Sequence, residues 1–131
     1  MLNENRESLM TLRMEQAKKC LDSAILLVEA DAYKDAANRS YYAIFHAMRS
    51  VLALDCFDSK RHSGILSEFS RRYIKTEIFP KDFSGLIYNA FEVRNDSDYD
   101  DFYVISKEDT AAQIENAKTF LAAVEEYINA L

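Results

Sequence analysis

Residues 36–54, "AANRSYYAIFHAMRSVLAL", carry the strongest structural signal in the chain. Their apolar residues recur every three to four positions, which is the pattern of an α-helix with one buried face. A second line at the same spacing is polar and aromatic, and it consists of Asp35, Arg39, Tyr42, His46 and Arg49. We predict a helix over about residues 34–54 that is buried on one side and carries polar chemistry on the other.

The rest of the chain reads as further helices around this one. Apolar stripes predict helices over about residues 7–30, 61–74, 82–95 and 107–130, and Ser106 with Asp109 predicts a capped start for the last. The tight turn "DAYKDA" requires the first two helices to lie antiparallel. Two Gly and one Pro among 131 residues are too few for the turns of a sheet protein. We predict one all-α domain over residues 1–131, an antiparallel up-and-down bundle of four to five helices.

The charge of the chain limits its partners. The formal net charge is −6, and an acidic chain does not attract nucleic acid over its whole surface because phosphate contacts require Lys and Arg. Residues 60–75 are the exception, with five cations and one acid: Lys60, Arg61, Arg71, Arg72, Lys75 and Glu68. We favour a solvated helix face, or one paired with the acidic run 96–101, over a nucleic-acid contact.

Cysteine usage and hydropathy bear on the compartment. Cys20 and Cys56 are too few for a disulfide framework or a zinc site, and both fall in helical patterns where Cys behaves as a small apolar residue. Free thiols suit a reducing cytoplasm. No apolar run approaches the ~20 residues of a membrane span, and the polar first ten residues lack a signal region. We expect a cytoplasmic protein without a membrane role.

Arg94 is the most informative charged residue, and it lies in "EVRNDSDYDDFY", residues 92–103. The apolar stripe of the fourth helix runs through Ile87 and Ala90, and the next helical step places Arg94 on the inward side. A buried guanidinium requires a partner, and Asp98 lies at the spacing of a helical ion pair. Spacing alone favours this structural pair over the alternative, an arginine held at a cleft or subunit seam to bind a phosphate.

The two histidines are the other candidates for chemistry. His46 lies inside the second helix, where a lone His is more often a hydrogen-bonded packing residue than a catalytic base. His62 begins the third helix among cations, and we expect it to be exposed. The aspartates of residues 96–101 lack the spacing of a calcium loop, and the chain has no Gly-rich phosphate loop. We therefore expect neither a metal nor a cofactor.

Two stretches together resemble the HEPN domain family. "AANRSYYAIFHAMRSVLAL" is similar to the second-helix signature of prokaryotic members, and "EVRNDSDYDD" (92–101) is similar to their fourth-helix motif, in which an Arg is followed by a polar residue. "KRHSGILSEF" (60–69) resembles the third-helix start of one branch. The resemblance covers essentially the whole chain and implies a four-to-five-helix bundle, commonly a homodimer with the motif arginines near the subunit seam.

The resemblance also implies a chemistry and a departure from it. Many members are metal-independent ribonucleases, in which Arg94 would bind the scissile phosphate and Asn95 would orient it while the ribose 2′-OH attacks. Active members carry a His four to six residues after the Arg, but this window holds Tyr99 and aspartates instead. A phenol is a poor base at neutral pH. Asp98 or Asp100 could act as the base only with a raised pKa, and Arg94 is expected to lower the pKa of Asp98 instead. His46 or His62 would have to supply the imidazole.

Three functions therefore stay open. We favour a binding module for a nucleotide or an RNA phosphate that acts with a minimal nucleotidyltransferase, the partner that many family members have. In some members this partner modifies a motif tyrosine, and Tyr99 is the nearest here. The second is a ribonuclease toxin of a toxin–antitoxin pair, and the third is a non-catalytic homodimeric scaffold. For a homodimer, we predict a seam formed by the second and fourth helices.

Overall fold

The computed structural model describes residues 4–131, and within them the chain is helical without strands. The elements are α1 (Glu4–Glu29), α2 (Tyr33–Leu54), α3 (His62–Phe69), a π-helical turn (Ser70–Ile74), α4 (Phe83–Tyr99) and α5 (Lys107–Asn129). The predicted all-α helical bundle is confirmed. The prediction of a single domain over residues 1–131 includes three residues outside the described part and stays a prediction.

Helix α2 is the centre of the bundle. Most of its side chains are buried, and the largest are Tyr41, Ile44, Met48 and Leu52. Small residues alternate with these along the helix, and they allow α1 and α5 to approach its backbone closely. Each fully buried large apolar side chain contributes about 1.5–3 kcal/mol through removal from water. The fold therefore depends on α2, and the positions of the other helices follow from their contacts with it.

Helices α1 and α4 run antiparallel to α2. Nη1 of Arg6 lies 3.2 Å from the carbonyl oxygen of Leu54, and Nη1 of Arg13 lies 3.2 Å from that of Arg49, so residue numbers rise along α1 as they fall along α2. The pairs Asn38–Asp98 and Tyr42–Arg94 show the same opposition between α2 and α4. The antiparallel direction brings the fourth-helix motif beside the polar line of α2.

The third helix differs from the prediction of one continuous α-helix over residues 61–74. After Phe69 the chain makes a π-helical turn, whose backbone hydrogen bonds span one more residue than those of an α-helix. The wider turn allows Phe69, Tyr73 and Ile74 all to face the core, where each is at most 5% exposed. A strict three–four pattern cannot represent this extra residue, which is why the prediction missed it.

Two other boundaries also correct the predictions. Helix α4 continues to Tyr99 rather than ending at Asn95, so Asp98 lies within the helix. Cys56 lies beyond the end of α2 in an exposed turn with a φ of +57°, whereas a helical position was predicted for it. The predicted cap of α5 is confirmed, because Ser106 Oγ accepts a hydrogen bond from the backbone N–H of Asp109 at 3.0 Å.

An apolar ring cluster lies on the side of α2 that faces α5. We name it the dry aromatic cluster, and it consists of Phe69, Tyr73, Phe79, Phe83, Phe120 and Tyr127. Neighbouring ring centroids are 5.3 to 6.5 Å apart, which is the range of favourable edge and offset contacts. This cluster fixes the π-helical turn, the following loop and α5 against one another.

Candidate functional site

Arg94 lies against the polar line of α2. Its side chain is 17% exposed, and its Nη2 donates a hydrogen bond to the hydroxyl of Tyr42 at 3.0 Å. Its guanidinium carbon lies 5.7 Å from the centre of the Tyr42 ring and 5.9 Å from that of Tyr41. The structure therefore brings together Arg94 and the second-helix line, which the sequence placed on separate helices.

Two neighbours on its own helix contact the Arg94 guanidinium. Asp98 Oδ2 lies 3.0 Å from Nε, but the Nε–H is not aimed at it, so the contact is an ion pair without an aligned hydrogen bond. Asn95 Oδ1 accepts from Nη1 at 3.1 Å. Asn38 of α2 donates to the other carboxylate oxygen of Asp98 at 3.4 Å. Burial opposes the charge on Arg94, but Tyr42 and Asp98 outweigh this effect and raise the pKa of Arg94.

A second cation lies beside the Tyr42 ring. The guanidinium carbon of Arg39 is 4.9 Å from the Tyr42 ring centre, and its Nε and Nη2 both donate to Asn38 Oδ1. We name the group formed by Arg39, Tyr42, His46, Arg49 and Arg94 the arginine face. The guanidinium groups of Arg39 and Arg94 beside the Tyr42 phenol give it the donors and the positive charge that an anion requires.

His46 is neutral at physiological pH. Its burial, followed by the charges of Arg49 and Arg39, lowers its pKa to about 4. Its Nδ1 is buried and makes no hydrogen bond within the described residues. The prediction that His46 is a hydrogen-bonded packing residue is not supported at that nitrogen. Because its pKa lies far below 7, the imidazole is a weak proton acceptor at neutral pH.

His62 is not the exposed residue that its cationic neighbours in sequence suggested. Its ring stacks on Phe45 at a centroid distance of 4.2 Å, and its Nδ1 lies 2.7 Å from the Tyr41 hydroxyl. Burial, Arg94 and Arg49 lower the pKa of His62, while burial raises that of Tyr41. The Tyr41 hydroxyl and Nδ1 of His62 share this hydrogen bond, which leaves Nε2 as the ring nitrogen not engaged by Tyr41.

Sequence reasoning missed Arg13, a further buried cation that lies beside Arg49 toward the C-terminal end of α2. It is 7% exposed and shares one oxygen of Asp58 with Arg49, each at 3.1 Å. Burial, more than the neighbouring Arg49, lowers the pKa of Arg13. A signal was present, since Arg13 occupies the same helical stripe as Ala17 and Ala24. Asp58 neutralises part of this charge and keeps Arg49 in place.

Tyr99 lies at the margin of the arginine face, and the basic segment 60–75 lies away from it. The Tyr99 ring is 78% exposed and lies 5.9 Å from the Arg94 guanidinium carbon. In the basic segment, Arg71 and Arg72 both pair with Glu68 at 2.8 Å, rather than with the acidic run 96–101 as one interpretation proposed. Their pairing with Glu68 leaves fewer cationic donors for a ligand than the composition suggested.

One surface cleft is lined by Arg6, Leu9, Arg13, Phe57 and Asp58. Its Asp58 pairs with Arg49, so this cleft borders the edge of the arginine face. Across residues 4–131, no group of three or more His, Cys, Asp or Glu side chains is arranged to hold a metal ion. In that same part of the chain, no helix combines the length and the apolar character of a membrane span.

Relatives of the chain carry two kinds of name. A "UPF0332 protein" of Thermotoga maritima is 32% identical over 99% of this chain and 98% of its own length. Two proteins of Methanocaldococcus jannaschii, each named "Putative toxin", are 29% and 30% identical over 88% and 76% of this chain, and over 78% and 74% of their own lengths.

The family model for the HEPN domain matches residues 10–127. The match spans all five helices and contains every residue of the arginine face. The resemblance seen in the second- and fourth-helix motifs is confirmed by this match. The chain belongs to the HEPN domain family.

Proposed function

We propose that this protein is a HEPN module that binds a phosphate group of RNA or of a nucleotide on the arginine face. The observation that supports it most is the position of Arg94. Its side chain is only partly exposed, and it lies beside Tyr42, whose ring Arg39 also contacts. Guanidinium groups bind phosphate through paired N–H donors. A phosphate bound on this face is attracted by two cations and displaces only neutral hydrogen-bond acceptors.

The state of the two imidazoles favours binding over cleavage. The pKa of His46 is lowered to about 4, whereas an efficient general base has a pKa near the working pH. The Nδ1 of His62 is already paired with the Tyr41 hydroxyl. The exposed Tyr99 holds the position where active members carry a His. The lowered pKa of His46 and the occupied Nδ1 of His62 therefore favour a bound phosphodiester that stays intact.

The test compares Arg94→Ala with Arg71→Ala, which removes an equal charge from the basic segment 60–75. Arg71 is 61% exposed and paired with Glu68, so its loss should leave the fold intact. We expect Arg94→Ala to weaken binding of a labelled single-stranded oligoribonucleotide at least tenfold in fluorescence anisotropy, and Arg71→Ala to change it less than twofold. Equal losses in both variants, or losses in neither, contradict the proposal.

A metal-independent ribonuclease is the second candidate, and the unpaired Nδ1 of the neutral His46 supports it. The base would take the proton of the ribose 2′-OH, whose oxygen attacks phosphorus while the bond to the 5′-oxygen breaks and that oxygen gains a proton. The products are a 2′,3′-cyclic phosphate and a 5′-hydroxyl. RNA incubated with EDTA should yield these ends with the wild type and lose them with His46→Gln. Intact RNA in the wild-type reaction excludes this candidate.

Partners complete the proposal. The names of the two Methanocaldococcus relatives support a role as the toxin of a toxin–antitoxin pair in the cytoplasm, with a minimal nucleotidyltransferase as the partner that the family suggests.

We also propose a homodimer with a seam along α2 and α4, so that the two arginine faces lie close together. Sedimentation of the purified chain tests the seam, and a monomer at micromolar concentration contradicts it. A homodimer that binds neither RNA nor nucleotides nor a nucleotidyltransferase would instead be the non-catalytic scaffold.

A further inference from the structure

We infer that Asp98 shifts the preference of the arginine face toward the singly charged phosphodiester of an RNA backbone and away from the doubly charged terminal phosphate of a nucleotide. The inference rests on the proposed function, because it requires that Arg94 binds phosphate. It assigns to Asp98 a part in specificity, where the sequence offered only a structural ion pair or a base. The argument follows from which edge of the guanidinium each neighbour occupies.

A guanidinium presents two edges that can each bind an anion through two nitrogens. One edge consists of Nε and Nη2, and the other of Nη1 and Nη2. The carboxylate of Asp98 lies 3.0 Å from Nε. The two terminal nitrogens donate to neutral groups, Nη2 to the Tyr42 hydroxyl and Nη1 to the Asn95 amide oxygen. The two edges therefore differ in the charge of the group that already occupies them.

A phosphate is expected to use the Nη1–Nη2 edge. The charge of the Asp98 carboxylate attracts the guanidinium even without an aligned hydrogen bond, whereas Asn95 and Tyr42 are neutral acceptors, so a phosphate is expected to displace these two before Asp98. Asn38 donates to the free oxygen of Asp98 from the neighbouring helix. This hydrogen bond also holds the carboxylate in place. Asp98 then keeps the guanidinium oriented while the phosphate binds next to it.

The retained carboxylate makes the charge on the ligand decisive. Arg39, Arg94 and Asp98 together carry one net positive charge, which one phosphodiester neutralises. A terminal phosphate carries about −1.5 to −2 charges at pH 7, so its repulsion from Asp98 is correspondingly larger. The other three aspartates of residues 96–101 add to the same repulsion at longer range. The carboxylates therefore offset part of the stronger attraction that the two arginines exert on a doubly charged phosphate, and Asp98 shifts the preference of the site toward an internal position of an RNA chain.

The experiment measures two ligands against two matched variants. The ligands are a labelled octaribonucleotide with a 5′-hydroxyl, which has diester phosphates only, and adenosine 5′-monophosphate as its competitor. Asp98→Asn removes the charge and keeps an oxygen acceptor, while Asp96→Asn removes the same charge from an exposed position on α4. We expect Asp98→Asn to tighten the monophosphate about tenfold and the octamer about threefold, and Asp96→Asn to change either by less than twofold.

The possible results separate the inference from the proposed function. If Asp98→Asn tightens both ligands by the same factor, or if Asp96→Asn has the same effect as Asp98→Asn, the selectivity does not come from Asp98 and the inference is overturned. If Arg94→Ala binds both ligands as the wild type does, no phosphate site exists at Arg94 and both proposals fail. Circular dichroism confirms that each variant keeps its helix content.

Discussion

Two groups of aromatic rings lie in this bundle, and they differ in what surrounds them. In the dry aromatic cluster, rings such as Phe69 and Phe120 contact other rings and are fully buried. On the arginine face, the Tyr42 ring also contacts other rings, but it lies beside two guanidinium groups and remains partly exposed. The comparison teaches that buried rings packed only on apolar groups and on one another stabilise the fold, whereas a partly exposed ring beside cations holds donors in place for a ligand.

The largest expected effect breaks the dry aromatic cluster. Phe120→Ala should lower the free energy of unfolding by about 3–5 kcal/mol, because it removes a fully buried ring and leaves a cavity. Urea denaturation followed by circular dichroism measures the loss, and Phe120→Leu is the milder control. Binding of RNA to the folded fraction should not change. A loss below about 1 kcal/mol contradicts the role given to this cluster.

The next effect tests the polar end of the same cluster. The Tyr73 hydroxyl donates to Asp55 at 2.6 Å, and a hydrogen bond to a charged group contributes about 1.5–3 kcal/mol. Asp55 keeps a second partner in Arg72, so Tyr73→Phe should cost about 1.5 kcal/mol in the free energy of unfolding. RNA affinity should stay within twofold of the wild type. A larger change would show that the dry aromatic cluster and the arginine face are coupled.

The pH dependence of stability tests the environment of His46. Burial and the nearby arginines keep it neutral down to a pH of about 4 in the folded protein, while the unfolded chain takes up the proton near its ordinary pKa of 6.5. The unfolded state therefore binds more protons between pH 6.5 and 4, and stability falls as the pH falls. Because the ring is only half-buried, we expect a loss of about 1–2 kcal/mol over this range.

The matched control for the pH experiment is His46→Gln. In this variant the slope of unfolding free energy against pH should be shallower between pH 6.5 and 4.5, with the remainder due to His62, whose pKa is also lowered. Glu68, with a pKa lowered to about 2, contributes only at more acidic pH. An unchanged slope in His46→Gln shows that His46 is not the group that titrates.

The smallest effect on stability is expected for Tyr42→Phe, the counterpart of Tyr73→Phe on the arginine face. It removes the hydroxyl that accepts from Arg94, at a cost of about 0.5–1 kcal/mol because the site is partly exposed. RNA affinity should fall severalfold as the guanidinium loses its support. The comparison between the two groups of rings fails if Tyr73→Phe weakens RNA binding more than Tyr42→Phe does.

Helical periodicity was sufficient to predict the bundle from the sequence. Stripes of apolar residues identify α2 and α5 to within one residue at each end, because long helices repeat the same pattern many times. The π-helical turn was missed because its extra residue breaks that repeat. The end of α4 was placed too early because the aspartates after Asn95 resemble a loop, although Asp98 pairs with Arg94 within the helix.

The arginine face could be predicted only in part. Spacing identified the polar line of α2 and the inward direction of Arg94, but the contact between them depends on how α2 and α4 cross, which no local pattern specifies. The same limit explains His62, whose cationic neighbours in sequence suggested exposure while its ring packs on Phe45. The buried Arg13 was overlooked because a charged residue within an apolar stripe is usually found at the surface.

The most direct measurement of the central claim is the NMR signal of the Arg94 guanidinium during a titration with the 5′-hydroxyl octaribonucleotide. Arg94→Lys assigns the Nε–H resonance by its disappearance. If phosphate binds on the arginine face, the Arg94 and Arg39 resonances should shift together while those of Arg71 and Arg72 stay in place. Shifts confined to Arg71 and Arg72 would contradict the claim and place RNA on the basic segment instead.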